Sequence, residues 1–220
     1  MTHSIIGAAA WHTSPLGMER RLAAILSADV QGYSRLMHED ETATIRTLTA
    51  YRGLMGSLIR QYRGRVVDDP GDNLLAEFPS VVEAVQCAVI VQRTLAARNA
   101  ALPRPRQMVF RMGLHLGDIV VEQERIYGAA VNLAARLERV AEGGGLCISG
   151  TVYDHVVAKL PLDSIRDVPI KVYVFPGCNR YIVVSEQGMW KKVVEKIWRK
   201  IRPSASRVTL SQPCQGYLQR

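Results

Sequence analysis

The strongest constraint on this chain is the order in which strand-like and helix-like spacings alternate along it. Ala23–Val30 (AAILSADV) is a short apolar run ending in an acid, as in a buried strand. Glu41–Tyr62 then places Ile45, Leu48, Tyr51, Leu54, Met55, Leu58 and Ile59 at helical spacing. Arg65–Asp69 and Leu74–Phe78 are two short strands around Pro70-Gly71-Asp72-Asn73, a turn signal. Ser80, with Glu83 three residues on, makes a capping box for a helix running to Asn99. Beyond a loop holding Pro103 and Pro105, Val109–Val121 (VFRMGLHLGDIVV) reads as two strands meeting near Leu116-Gly117-Asp118. Tyr127–Val140 is helical again, followed by the Gly143-Gly144-Gly145 break, the strand LCIS and a helix from Thr151. That order predicts an α+β sandwich with a mostly antiparallel sheet and helices on one face. No repeat of solenoid period is present.

Charge divides the chain. The 220 residues carry a net +8, but residues 181–220 hold 8 Lys/Arg against 2 Asp/Glu. Residues 1–180 keep 20 basic and 18 acidic residues, so the body is close to neutral. The division expected is a flexible leader over 1–17, a folded body over 18–176 and a basic tail over 177–220. Met18 opens the periodic sequence and is a second candidate start beside Met1. In the tail, Trp190, Val193, Val194, Ile197, Trp198 and Ile201 form one apolar stripe among Lys191, Lys192, Lys196, Arg199, Lys200 and Arg202. A basic amphipathic helix over Trp190–Arg202 suits peripheral contact with an anionic membrane or a protein groove; the plainer use is packing on the body. The apolar stretch Ile5–Trp11 is too short to span a bilayer and has no basic residue before it, against a signal peptide. Cys87, Cys147, Cys178 and Cys214 are widely spaced, with no Cys-x-x-Cys pair, so reduced thiols in a cytoplasmic protein are expected, with peripheral contact at the inner membrane surface left to the tail.

Asp29 ends the first strand, and pairing of neighbouring strands would bring Asp72 beside it from the hairpin tip. Two carboxylates and a backbone carbonyl make a hard-oxygen set suited to Mg²⁺. Plainer uses stand beside that one: Asp72 as ordinary turn chemistry and Asp29 as the cap of the next helix. Asn132 and Arg136, four apart, share a helix face where an amide and a guanidinium would suit a ribose oxygen and a phosphate. The alternative there is a solvated Arg136 paired with Glu138 or Glu142.

Taken together, LSADVQGYSRLM, GRVVDDPGDNLLAEF, FRMGLHLGDIVV and IYGAAVNLAARLE, in that order, resemble a class III nucleotide cyclase catalytic domain over Arg20–Leu160. The resemblance implies a ferredoxin-like βαββαβ core in a head-to-tail homodimer. It implies Asp29 and Asp72 as ligands of Mg²⁺ or Mn²⁺, two ions per site, with the Val30 carbonyl as a further ligand. It implies Asn132 orienting the ribose and Arg136 stabilising phosphate charge, contributed by the opposite subunit. The reaction implied is attack of the ribose 3′-oxygen of ATP, or less favourably GTP, on the α-phosphorus. Its products are a 3′,5′-cyclic nucleotide for intracellular signalling and pyrophosphate.

Two base-reading positions depart from the family. Asp68, four residues before Asp72, stands where many members have Lys, and Arg125, seven before Asn132, stands where they have Asp or Thr. The adenine-versus-guanine code is therefore unreadable here, and a compensating contact of Arg125 with Asp68 across the dimer is one expectation. The segment between Lys159 and the expected last strand, Ile170–Phe175, is shorter than usual for the family, predicting a short or strained final hairpin. These departures motivate the alternative of a non-catalytic cyclase-like module that binds nucleotide or a partner. A nucleic-acid binder fits poorly, because the body is near neutral and its strands lack paired aromatics.

Overall fold

The computed structural model describes residues 18–156, 158–160, 170–173 and 181–184. The first apolar run is the C-terminal part of β1 (Glu19–Val30). There follow α1 (Tyr33–Glu39), α2 (Glu41–Gln61), β2 (Arg65–Asp68), β3 (Leu74–Phe78), α3 (Val81–Ala100) and a 3-10 turn at Arg104–Arg106. The second half contains β4 (Phe110–Glu122), β5 (Arg125–Tyr127), α4 (Ala129–Val140), β6 (Leu146–Ser149), α5 (Gly150–Val156), β7 (Ile170–Tyr173) and β8 (Tyr181–Val184). The two long helices start where the sequence marks them. The Asp40 carboxylate accepts the Ala43 N–H at 3.0 Å, and the Ser80 hydroxyl oxygen accepts that of Glu83 at 3.4 Å. The return half of the expected capping box is missing, because the Glu83 carboxylate instead accepts from Arg63 Nε at 2.8 Å.

The strands form one sheet in the order β2-β3-β1-β4-β6-β7-β8, with β5 paired to β4. β1 runs antiparallel to β3 and β4, and the β4–β6 and β6–β7 pairs are parallel, so the sheet is mostly antiparallel as expected. The sheet continues past the expected last strand into β8, antiparallel to β7. It also curls, bringing β2 near β5. The leader and the Trp190–Arg202 helix lie outside the described residues. Among the described residues no helix is long and apolar enough to cross a membrane.

Three expectations are corrected. Val109–Val121 is not two strands: β4 is one 13-residue strand, and Leu116, Gly117 and Asp118 pair with Ala24, Ala23 and Leu22 in its middle. Gly117 serves close approach rather than a turn, since a Cβ there would meet the Ala130 Cβ at 3.0 Å. Tyr127 closes β5, and the helix begins at Ala129 after Gly128, whose φ of 135° favours glycine. Finally, helices cover both faces of the sheet. Ala23 and Ile25 of β1 pack with Ala130 and Ala134 of α4, while the alternating Ala24, Leu26 and Ala28 are equally buried on the face that α3 and its neighbours cover. That second face is apolar throughout, with Leu74, Ala76 and Phe78 of β3 and Phe110, Met112 and Leu114 of β4 beside them.

Candidate active site

The α4 face of the sheet is built differently. Register places Asp29 opposite Arg111, Ser27 opposite Gly113 and Ile25 opposite His115 and Glu77. Asp29, at the end of β1, is buried, and its Oδ2 accepts from Arg111 Nε at 3.0 Å and Nη2 at 2.5 Å. The same guanidinium lies 3.6 Å from Oε1 of Glu138, whose Oε2 accepts the Ser27 hydroxyl at 2.8 Å. Glu138 is only 4% exposed, and burial pushes its pKa up, against the opposing pull of the Ser27 hydrogen bond and the Arg111 charge. This interior contact of α4 requires glycine beneath it, because a Cβ on Gly113 would sit 2.2 Å from the Ala134 carbonyl oxygen and the Glu138 nitrogen.

Asp72 reaches the same place from the β2–β3 turn. That turn is closed by the Asn73 N–H donating to the Pro70 carbonyl at 3.0 Å, with Gly71 at φ 59°. Burial raises the Asp72 pKa first, and hydrogen bonding and charge from Asp29 raise it further, with Arg52 pulling the other way. The two acids predicted to meet therefore do meet, and their mutual repulsion is the state a bound cation relieves. Among the described residues no three His, Cys, Asp or Glu side chains converge. Two carboxylates with backbone oxygen and water suit Mg²⁺ or Mn²⁺, and do not suit a soft or fully protein-caged metal. Val30 follows Asp29 and pairs with Phe110 where β1 ends.

Asn132 and Arg136 share the exposed side of α4, while Ala130, Ala134, Leu137 and Glu138 face inward. Glu138 points at Ser27 and Arg111, so it is not the partner of Arg136. Among the described residues neither Asn132 nor Arg136 is hydrogen-bonded or ion-paired to Asp29 or Asp72.

The structure does not bring Asp68 and Arg125 into an ion pair within one copy. Asp68 is exposed at the end of β2 past a bulge, and its Oδ1 accepts the Asp69 N–H at 2.9 Å. Arg125 is exposed at the start of β5, opposite Glu122. The tight turn before it holds Gln123 at φ 47° and Glu124 at φ 72°, both in the left-handed region, and the Glu124 carbonyl accepts from Arg65 Nη1 at 3.0 Å. Arg65 also shares Glu77 Oε1 with Arg21, at 3.0 and 2.6 Å from their donor nitrogens.

Sequence reasoning missed Arg111, Glu138, Ser27 and Arg52. A signal for Glu138 existed: Ala130, Ala134 and Glu138 recur every four residues, so the buried stripe of α4 ends in an acid. Alternation along FRMGLH likewise puts Arg111 and His115 on one face, but which face depends on a register that one strand cannot disclose.

A family model described as the adenylate and guanylate cyclase catalytic domain matches residues 19–178. A putative adenylate cyclase 3 of Rhizobium meliloti (strain 1021) is 44% identical over 149 residues, 67% of this chain and 25% of that protein. An adenylate cyclase of Streptomyces coelicolor is 28% identical over 127 residues, 56% of this chain and 31% of that protein. The chain therefore spans about a quarter of the length of the first of these relatives and about a third of the second. Among solved structures, the adenylate/guanylate cyclase/hydrolase from Silicibacter pomeroyi superposes with a TM-score of 0.59 at 40% identity, over 64% of this chain and 83% of that one. The adenylyl cyclase CyaB from P. aeruginosa, at 22% identity and a TM-score of 0.58 over 78% and 97% of the two chains, shares the fold.

Proposed function

Because the chain belongs to the adenylate and guanylate cyclase catalytic-domain family, we propose that it converts ATP to 3′,5′-cyclic AMP and pyrophosphate at sites shared by two copies. The observation that carries this reading is the meeting of Asp29 and Asp72, two carboxylates from separate elements, where burial and then the hydrogen bond and charge of Asp29 raise the pKa of Asp72. Asp29, Asp72 and the Val30 carbonyl would hold two Mg²⁺ or Mn²⁺ ions, which when bound favour ionisation of the ribose 3′-hydroxyl and neutralise charge on the departing pyrophosphate. Arg111 fixes the Asp29 carboxylate by donating twice to its Oδ2. Asn132 orients the ribose, and the Arg136 fork binds phosphate oxygens where charge gathers. Both are exposed and uncommitted among the described residues, as groups offered to a second copy would be. Holding the 3′-oxygen in line with the α-phosphorus supplies much of the acceleration.

A second reading, a non-catalytic module that binds nucleotide or a partner, is favoured by Asp68 and Arg125, a reversed charge pair at the base-reading positions. Contact between them across the dimer would reconcile that reversal with activity. Purified protein incubated with ATP or GTP and Mg²⁺ or Mn²⁺, with Asp72→Ala and Asn132→Ala as controls, tests the reading by product mass. Cyclic AMP absent from both variants is expected. Cyclic GTP instead would reassign the substrate. Silence with both nucleotides from a folded dimer that nucleotide still stabilises would establish the second reading.

A further inference from the structure

The α2 helix reaches the site through Arg52. In sequence Arg52 lies in the middle of α2, remote from either aspartate, yet its Nη2 is 2.6 Å from the Asp69 carbonyl oxygen, 2.7 Å from that of Gly71 and 2.8 Å from that of Asn73. Three backbone acceptors of one five-residue segment converge on a single nitrogen. Asp69 Oδ2 stands 3.9 Å from Nη1. The Asp72 carboxyl in the same segment is hydrogen-bonded to Asp29 and feels the charge of Arg52. The guanidinium is only partly exposed, and its Nε is buried without a partner among the described residues, so the group is committed to this turn rather than to solvent.

The turn needs such a clasp. Pro70, Gly71, Asp72 and Asn73 are all outside the sheet ladder, and among the described residues the backbone bond closing them is that from Asn73 to Pro70. Asp29, by contrast, sits in a strand paired on both sides and is held by Arg111. Of the two acids, Asp72 is the one whose placement rests on a loop.

We propose that Arg52 is a positioning residue that presets Asp72 for divalent cations by gathering the carbonyls of Asp69, Gly71 and Asn73. This rests on the reading of Asp29 and Asp72 as the metal-holding pair. Arg52 acts on Asp72 through the turn, so its removal weakens metal binding and leaves turnover at saturating metal largely intact. Outer contacts that orient metal ligands typically contribute about 10–100-fold in affinity.

The test is Mn²⁺ binding to the full chain, by electron paramagnetic resonance of free Mn²⁺, for wild type, Arg52→Met and Arg52→Lys. Melting without metal and kcat against Mn²⁺ concentration are measured alongside. For Arg52→Met a rise in Mn²⁺ Kd of about tenfold or more is expected, with kcat at saturation within about threefold. Arg52→Lys, whose ammonium offers three donors, should recover part of the affinity. A Mn²⁺ Kd within twofold of wild type in folded Arg52→Met, or a kcat loss with unchanged Kd, overturns the proposal. If Arg52→Met fails to fold, Arg52→Gln replaces it, with a rise of less than twofold counting against the proposal. Failure of wild type itself to bind Mn²⁺, or unaltered binding in Asp72→Ala, overturns the metal-pair reading and the proposal with it.

Discussion

The two faces of the sheet come from the same strands and differ in what they are for. One face presents Ala24, Leu26, Ala28, Ala76, Phe78, Met112 and Leu114, a continuous apolar layer under helices. The other alternates with it residue by residue and carries Ser27, Asp29, Glu77, Arg111 and His115, with α4 lying over only part of it. A face of buried charge is costly to maintain, since each ion must be paired or hydrogen-bonded once it leaves water. Its members are so arranged: Arg111 between Asp29 and Glu138, and Glu77 between Arg21 and Arg65. Cohesion is concentrated on the first face and reactivity on the second.

The largest effect should come from the apolar face. Phe78→Ala, at a fully buried ring, should cost about 3–5 kcal/mol in denaturant unfolding, whereas Ser27→Ala on the other face should cost about 1 kcal/mol. Equal losses would erase the distinction. Next, Arg111→Met strips Asp29 and Glu138 of their shared cation and should lower stability by about 2–3 kcal/mol. Adding Glu138→Gln should return part of that loss, and strict additivity would show that the three groups do not act together. Gly113→Ala should cost about 1–3 kcal/mol by overpacking and should depress turnover by lifting α4, which carries Asn132 and Arg136.

The smallest effects are in pH. Burial lowers the His115 pKa below its ordinary 6.5, and its Nδ1 is buried without a partner among the described residues. A folded pKa below the unfolded one means that the unfolded chain binds more protons, so this stability is present above pH 6.5 and lost as pH falls through the folded value. Glu138 slopes oppositely: its folded pKa is raised above 4.5, so its contribution is full below 4.5 and fades as pH rises through the folded value. Melting curves of His115→Gln and Glu138→Gln against wild type between pH 4 and 8 should remove one slope each. Cys87, whose thiol burial pushes up to about 12, should stay unreactive to thiol reagents in the folded protein.

Much of this was legible because local signals did not conflict. Ser80 and Asp40 cap as their residue types predict, and Asn132 and Arg136 share a face as their spacing requires. Asp29 and Asp72 were found by their places at a strand end and a turn tip. Gly117 misled because a glycine needed for helix approach looks like a glycine needed for a turn. Arg52 and Arg111, and the partners of Glu138, were illegible for a stronger reason: each contact reaches at least 17 residues along the chain and exists only once register and packing are set.

The central claim, that each site takes its acids from one copy and its Asn132 and Arg136 from another, is tested most directly by mixing. Asp72→Ala and Asn132→Ala should each be inactive alone. Exchanged into one population, half the dimers would hold one intact site, restoring about a quarter of wild-type cyclic nucleotide production. No activity from verified mixed dimers, or full activity of either variant alone, would contradict the account.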